Sequence, residues 1–140
     1  MPRILMIDDD ADEQGLFAET VEELGLPEKI QLHFCSNGLE SLTLLEHTCP
    51  PPFDLILLDM NMPLMNGVEF LKRTYPRLAD FTTELMGFST TNNPDIISEF
   101  KAYGASGFVT KPSDLRKYEE VVARFTDRAR ENYHIRKKTA

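Results

Sequence analysis

Three kinds of side chain stand where they could act together on one anion. The run "ILMIDDDADE" leads four apolar residues straight into Asp8, Asp9 and Asp10, and Asp59 follows the apolar run of "LILLDMNMP" in the same way. Ser89, Thr90 and Thr91 follow "LMGF", and Lys111 follows "GFVT". Carboxylates packed so closely repel one another and resist losing water, so a hard cation is their natural partner. Mg2+ takes one or two carboxylates and fills its octahedron with waters and phosphate oxygens. A lysine and a hydroxyl facing that cation suit a phosphoryl group, the ammonium as a point charge and the hydroxyl as a hydrogen-bond donor. Singly, each has a plainer reading: an aspartate after a strand caps a helix, a Ser-Thr run is a loop, a lysine is a surface residue. Asp10 is read as a cap. The joint placement of the others carries the inference.

For these residues to meet, the apolar runs before them must be strands of one sheet. The pattern predicts strands at Arg3–Ile7, Ile30–Cys35, Leu55–Leu58, Glu84–Phe88 and Gly107–Val109. "ILMI" and "LILL" are apolar at every position, as parallel strands covered on both faces must be. Between them run helical stripes: Phe17, Val21 and Leu24; Leu39, Leu42 and Leu45; Val68, Leu71 and Tyr75; Ile97 and Phe100, with Lys101; and Leu115, Tyr118, Val122 and Phe125. Asp10-x-x-Glu13, Asn37-x-x-Glu40 and Asn66-x-x-Glu69 have the form of capping boxes. Asn93-Pro94 and Ser113 open the last two helices, and Gly25 and Gly104 close helices. The alternation of strand and helix predicts an α/β doubly wound parallel sheet with right-handed crossovers. In such sheets ligands bind beyond the carboxyl ends of the strands, near the point where strand order reverses. The acids, hydroxyls and lysine all fall at such ends.

Composition excludes several classes of function. The 140 residues carry a formal charge of −8, which disfavours direct nucleic-acid binding. The one basic run, Arg136 to Lys138, is read as a solvated helix end or tail. Cys35 and Cys49 lack zinc-like spacing and are read as reduced thiols, and His33, His47 and His134 are scattered. "CPPPF" at Cys49–Phe53 is read as a stiff connector. No apolar run approaches the ~20 residues that span a bilayer. The N-terminus enters a strand without a signal-peptide pattern, so the expected location is cytoplasmic, with no membrane partner.

"IDDD", "LILLDMNMPLMNG", "GFSTT" and "GASGFVTKP" together resemble the motifs of response-regulator receiver domains from two-component signalling, over Arg3 to about Arg130. The resemblance implies a flavodoxin-like (βα)5 sheet of strand order 2-1-3-4-5. It implies residues 1–130 as the receiver domain and 131–140 as a short basic C-terminal tail. By the same resemblance Asp59 is the phosphoacceptor. Asp9, Asp59 and the backbone carbonyl of Asn61 would bind Mg2+ (or Mn2+), with Asp8 acting through water. Ser89 and Lys111 would contact the phosphoryl group, and Lys111-Pro112 would be a cis peptide. Ser89 and Phe108 would form the switch. Asn66 stands where the family often has Asp, and Phe108 replaces the more familiar Tyr, so a switch there must rest on ring packing. Met60, Asn61 and Thr91 occupy positions that influence phosphoryl lifetime in the family.

The implied function is a phosphoryl-accepting signalling domain, not a turnover enzyme. Its partners would be a sensor histidine kinase or histidine phosphotransfer protein, and a downstream protein on the α4–β5–α5 face, Asn93 to Arg130. A weak homodimer and a stand-alone domain are further expectations. Two alternatives stay open: an unphosphorylated receiver-like scaffold, and a haloacid-dehalogenase-type phosphatase, against which Asn61 stands where that family needs an acidic proton donor. A nucleotide-binding flavodoxin-like protein is disfavoured because no Gly-rich loop follows the first strand.

Overall fold

Strands that are apolar throughout need cover on both faces, and the chain supplies it. A computed structural model of the protein describes residues 1–48 and 52–139. Strands β1 (Arg3–Ile7), β2 (Gln31–Cys35), β3 (Leu55–Leu58), β4 (Leu85–Ser89) and β5 (Gly107–Thr110) form one parallel sheet in the order β2-β1-β3-β4-β5. The helices are α1 (Ala11–Glu23), α2 (Gly38–Glu46), α3 (Gly67–Thr74), α4 (Pro94–Ala102) and α5 (Leu115–Thr139). A 3-10 turn (Tyr75–Arg77) and one helical turn (Leu78–Phe81) extend α3. This is the predicted doubly wound, flavodoxin-like fold.

Alternate residues of the central strands feed two cores. Ile4, Met6, Leu55 and Leu57 pack with Phe17 and Val21 of α1 and with Tyr118, Val122 and Phe125 of α5. Leu5, Ile7, Ile56 and Leu58 pack on the other face with Leu42, Leu45, Val68, Leu71 and Phe100. Each fully buried aliphatic or aromatic side chain contributes about 1.5–3 kcal/mol, so these two layers fix the register of β1 and β3. Ile7 pairs with both Cys35 and Leu58, and Leu58 with Gly87. The carboxyl ends of β1, β3 and β4 therefore lie level, and Ser89 opposite Thr110 adds β5 to that edge.

The structure corrects several local expectations. Asp10 caps α1, but its side chain accepts from Asp12 N, and Glu13 turns toward Lys111 instead of completing a capping box. Asn66 and Glu69 do form the full reciprocal box. Asp114, not Ser113, opens α5: its carboxylate accepts from Arg116 N at 2.8 Å. Leu39, Tyr75 and Leu115 leave their predicted apolar stripes and are exposed, each at the end of its helix. Strands β2 and β4 start one residue later than predicted, and β5 extends to Thr110.

The largest correction concerns the C-terminus. The expected tail is helix, because α5 continues unbroken to Thr139, and the boundary placed at residue 130 falls inside it. Polar ties hold this extension against the amino-terminal edge of the sheet. Asn132 donates to Asp54 O at 2.9 Å and Glu84 Oε1 at 3.0 Å. Arg136 pairs with the buried Asp54 carboxylate at 3.1 Å, and His134 meets Glu28. Lys137 and Lys138 lie in the last turn, where cations suit the helix dipole. Cys49 and most of the "CPPPF" connector lie outside the described residues. Cys35 is a free, buried thiol. No helix among the described residues is long and apolar enough to cross a membrane.

Candidate functional site

The level strand ends place the predicted chemistry in one pocket. Asp8 leaves β1, and its backbone N–H donates to Cys35 O at 3.0 Å, while Asp59 leaves β3 and donates to Ile7 O at 3.0 Å. Because β1 and β3 are neighbours, carboxylate oxygens of Asp8, Asp9 and Asp59 all lie within 4.8 Å of one another. Asp8 and Asp59 are buried, and Asp9 is exposed at the mouth. This inward pair with one open acid is the geometry a hydrated divalent cation needs, since it keeps part of its water shell.

Lys111 enters from the end of β5. Its N–H donates to Ser89 O at 2.7 Å, which aims the side chain across β4 toward β1. Its Nζ bonds Asp8 Oδ2 at 2.5 Å, stands 3.9 Å from Glu13 Oε2 and lies 5.6 Å from the centre of the Phe88 ring. Burial lowers the lysine's pKa, but Asp8, Asp59 and Glu13 outweigh it and hold the group above its ordinary value. The ammonium is therefore firmly charged.

Asp59 behaves oppositely. Burial pushes its carboxyl up, the Ser89 hydroxyl and Lys111 pull it back, and Asp8 pushes it up again. The net shift is upward. Ser89 is fully buried and its hydroxyl has no well-formed hydrogen bond among the described residues, although it is near enough to favour the Asp59 charge. A buried, unpartnered donor beside a carboxylate is costly unless another acceptor can arrive. Asn61 is exposed, with its N–H 3.4 Å from Asp59 Oδ1.

Two glycines fix the walls. A Cβ on Gly67 would stand 2.6 Å from Asp59 O, so only glycine lets α3 begin this close to the acid. A Cβ on Gly87 would stand 2.2 Å from Phe108 Cδ2. The half-buried Phe108 ring thus occupies the space above Gly87, edge-on to Phe100 with centroids 4.9 Å apart. The β3–α3 loop holds one non-glycine residue at positive φ, the exposed Leu64 at 69°.

All the predicted pocket residues, Asp8, Asp9, Asp59, Ser89 and Lys111, therefore converge, while Asn61 lies beside Asp59 and Phe108 lies back on the sheet. Sequence reading assigned no pocket role to Glu13 or Tyr118. The signal for Glu13 was its place in the first turn after the aspartates. Tyr118 has none beyond its apolar stripe; α5 packs its ring against Phe88, with centroids 6.1 Å apart.

Fold and site together define a flavodoxin-like α/β protein with an acidic pocket and a buried lysine at the point where strand order reverses. Residues 4–123 match the response regulator receiver domain profile. The chain belongs to that family of signalling domains, whose members bind a divalent metal at an acidic pocket. It is 30% identical to sporulation initiation phosphotransferase F of Bacillus subtilis over 123 residues, 88% of this chain and 92% of the relative. It is 29% identical to two-component response regulator 24 of Arabidopsis thaliana, over 81% of this chain and 76% of that one. Among solved structures, chemotaxis protein CheY4 of Vibrio cholerae superposes with a TM-score of 0.73 at 26% identity, covering 92% of this chain and 98% of that protein.

Proposed function

We propose that this receiver accepts a phosphoryl group on Asp59 from a phosphohistidine of a sensor kinase or phosphotransfer protein. An Asp59 carboxylate oxygen forms the new P–O bond as the P–N bond breaks, and the electron pair returns to the histidine nitrogen. The product is an aspartyl phosphate. The observation that carries this reading is the convergence beside Asp59 of a charged, buried lysine and a buried hydroxyl that has no well-formed hydrogen bond among the described residues. Both groups match the oxygens of a transferring phosphoryl group. That the relative from Bacillus subtilis is named a phosphotransferase supports the same chemistry.

Asp9, Asp59 and the Asn61 carbonyl would hold Mg2+ or Mn2+, with Asp8 acting through water, and the donor set of hard oxygens fits such an ion. A cation held there would neutralise charge on the phosphoryl oxygens. Lys111 moves to balance the new dianion, and Ser89 gives its hydroxyl to a phosphoryl oxygen. Movement of Ser89, one residue beyond Phe88 and two beyond Gly87, loosens the seat of the Phe108 ring. The α4–β5–α5 face then shifts between two arrangements and presents itself to a downstream protein.

The test is incubation with acetyl phosphate and Mg2+, followed by intact-mass and peptide mass spectrometry. The expected result is a single acid-stable, base-labile phosphoryl adduct on Asp59, absent from Asp59→Asn and from samples containing EDTA. Absence of any adduct, with spectra unchanged by beryllium fluoride and Mg2+, would leave an unphosphorylated scaffold as the better reading.

A further inference from the structure

Behind Lys111 lies a second layer of groups. Glu13 Oε2, 3.9 Å from the ammonium, is buried and lacks a hydrogen-bond partner among the described residues. Burial pushes the Glu13 carboxyl up, Lys111 opposes that, and Asp8, Asp10 and Asp59 push it up further, so Glu13 sits in the field of the whole pocket. Tyr118 of α5 packs against the Phe88 ring beside these groups. Its side chain is buried, its hydroxyl is equally without a partner, and burial together with the charges of Glu13 and Asp8 raises its pKa. The Phe88 ring touches both neighbours, with centroids 6.1 Å apart from Tyr118 and Lys111 Nζ 5.6 Å above it.

This arrangement answers a difficulty in the pocket. Lys111 spends its charge on Asp8, the same acid that must face a divalent cation. Its side chain is only 7% exposed, so the ammonium cannot turn to bulk water when Asp8 is taken. A carboxylate outside the Asp8–Asp9–Asp59 cluster is needed, and Glu13, 3.9 Å from the ammonium, supplies it.

We propose that Glu13 is a positioning residue that holds Lys111 in the pocket when Asp8 turns to a divalent cation. The Tyr118 hydroxyl is then the neutral donor that engages Glu13 once Lys111 moves on to a phosphoryl group at Asp59. The inference rests on the reading of the pocket as a cation and phosphoryl site. It makes α5 sensitive to the position of Lys111 through Tyr118, by a route separate from Phe108. Removing the Glu13 charge withdraws both an anchor for Lys111 and an attraction for the cation, so Mg2+ should bind roughly three- to tenfold more weakly.

The experiment compares wild type with Glu13→Gln, Glu13→Asp and Tyr118→Phe by Mg2+ calorimetry, by melting with and without Mg2+, and by the NMR signal of the Lys111 ammonium. Glu13→Gln should melt without metal at or above the wild-type temperature, because a repelling charge has gone, yet bind Mg2+ three- to tenfold more weakly. On Mg2+ addition its Lys111 signal should shift and broaden as the ammonium loses its fixed acceptor, whereas the wild-type signal stays sharp. Glu13→Asp should recover part of the affinity. Tyr118→Phe should bind Mg2+ as wild type does but bind beryllium fluoride more weakly. Wild-type Mg2+ affinity in Glu13→Gln overturns the inference, as does a lowered metal-free melting point that Glu13→Asp does not restore. Unchanged beryllium fluoride binding in Tyr118→Phe removes the tyrosine from it. A wild-type protein that ignores Mg2+ is a different failure, that of the pocket reading itself.

Discussion

Replacing Asp59 by asparagine should stabilise the metal-free protein while removing most of its response to Mg2+. Asp59 is 6% exposed, and its carboxylate lies within 4.8 Å of oxygens from Asp8 and Asp9. At that separation two unit charges repel by about 3–4 kcal/mol at an effective dielectric near ~20. Lys111 and the Ser89 hydroxyl offset part of this, yet the net effect of burial and neighbours still opposes ionisation. Asparagine keeps the volume and an acceptor oxygen for Asn61 N–H and Ser89, without the charge. A net gain of about 1–2 kcal/mol is expected, or about 3–6 °C in Tm for a chain of this size. The same change removes one of three clustered carboxylates, so the stabilisation by a ligand that binds only the folded state shrinks with its affinity. Calorimetric melts in EDTA and across a Mg2+ series, for wild type and Asp59→Asn, measure both effects. A lower Tm for the variant in EDTA would refute the idea that the acids repel without full compensation. An undiminished Mg2+ gain would refute placing the cation against Asp59.

Other perturbations probe the remaining parts. Asp9→Asn, at the exposed mouth of the pocket, should leave the metal-free Tm nearly unchanged and largely abolish the Mg2+ gain in the same melts. Asp59 and Glu13 have folded pKa values raised above the ordinary carboxylate range. Their stabilising contribution is complete below that range and is lost as pH rises through the folded values. Urea titrations in EDTA should therefore show this contribution falling with rising pH in that window, and Asp59→Asn should flatten the slope. Arg136→Ala leaves the fully buried Asp54 carboxylate with little besides the Arg3 N–H at 2.8 Å. It should cost about 2–3 kcal/mol, and hydrogen exchange should show α5 fraying beyond Ala129. Gly87→Ala forces a Cβ onto the Phe108 ring; a loss of about 1–3 kcal/mol and displaced Phe108 ring resonances are expected.

Much of the fold and most of the pocket were legible in the sequence, for reasons that can be named. "ILMI" and "LILL" have no polar face, so they had to be central strands, and strand ends are where an open parallel sheet gathers its chemistry. The residues just after those runs needed no tertiary information to be picked out. What sequence could not assign was the partner of each charge. Asp10-x-x-Glu13 has the spacing of a capping box, but the buried ammonium of Lys111 attracts Glu13 more strongly than an exposed backbone amide does. Arg136 reads as part of a basic tail until Asp54, 82 residues earlier, is found buried and in need of a cation.

Local pattern was enough for the succession of strands and helices, for the acids at the strand ends and for most helix starts, because periodicity and capping act over a few residues. Tertiary packing settled that Lys111 stands between Asp8 and Glu13, that Tyr118 packs on Phe88, and that α5 runs on to Thr139. Those outcomes depend on which charges are buried together, and burial is a property of the packed chain, not of any one segment.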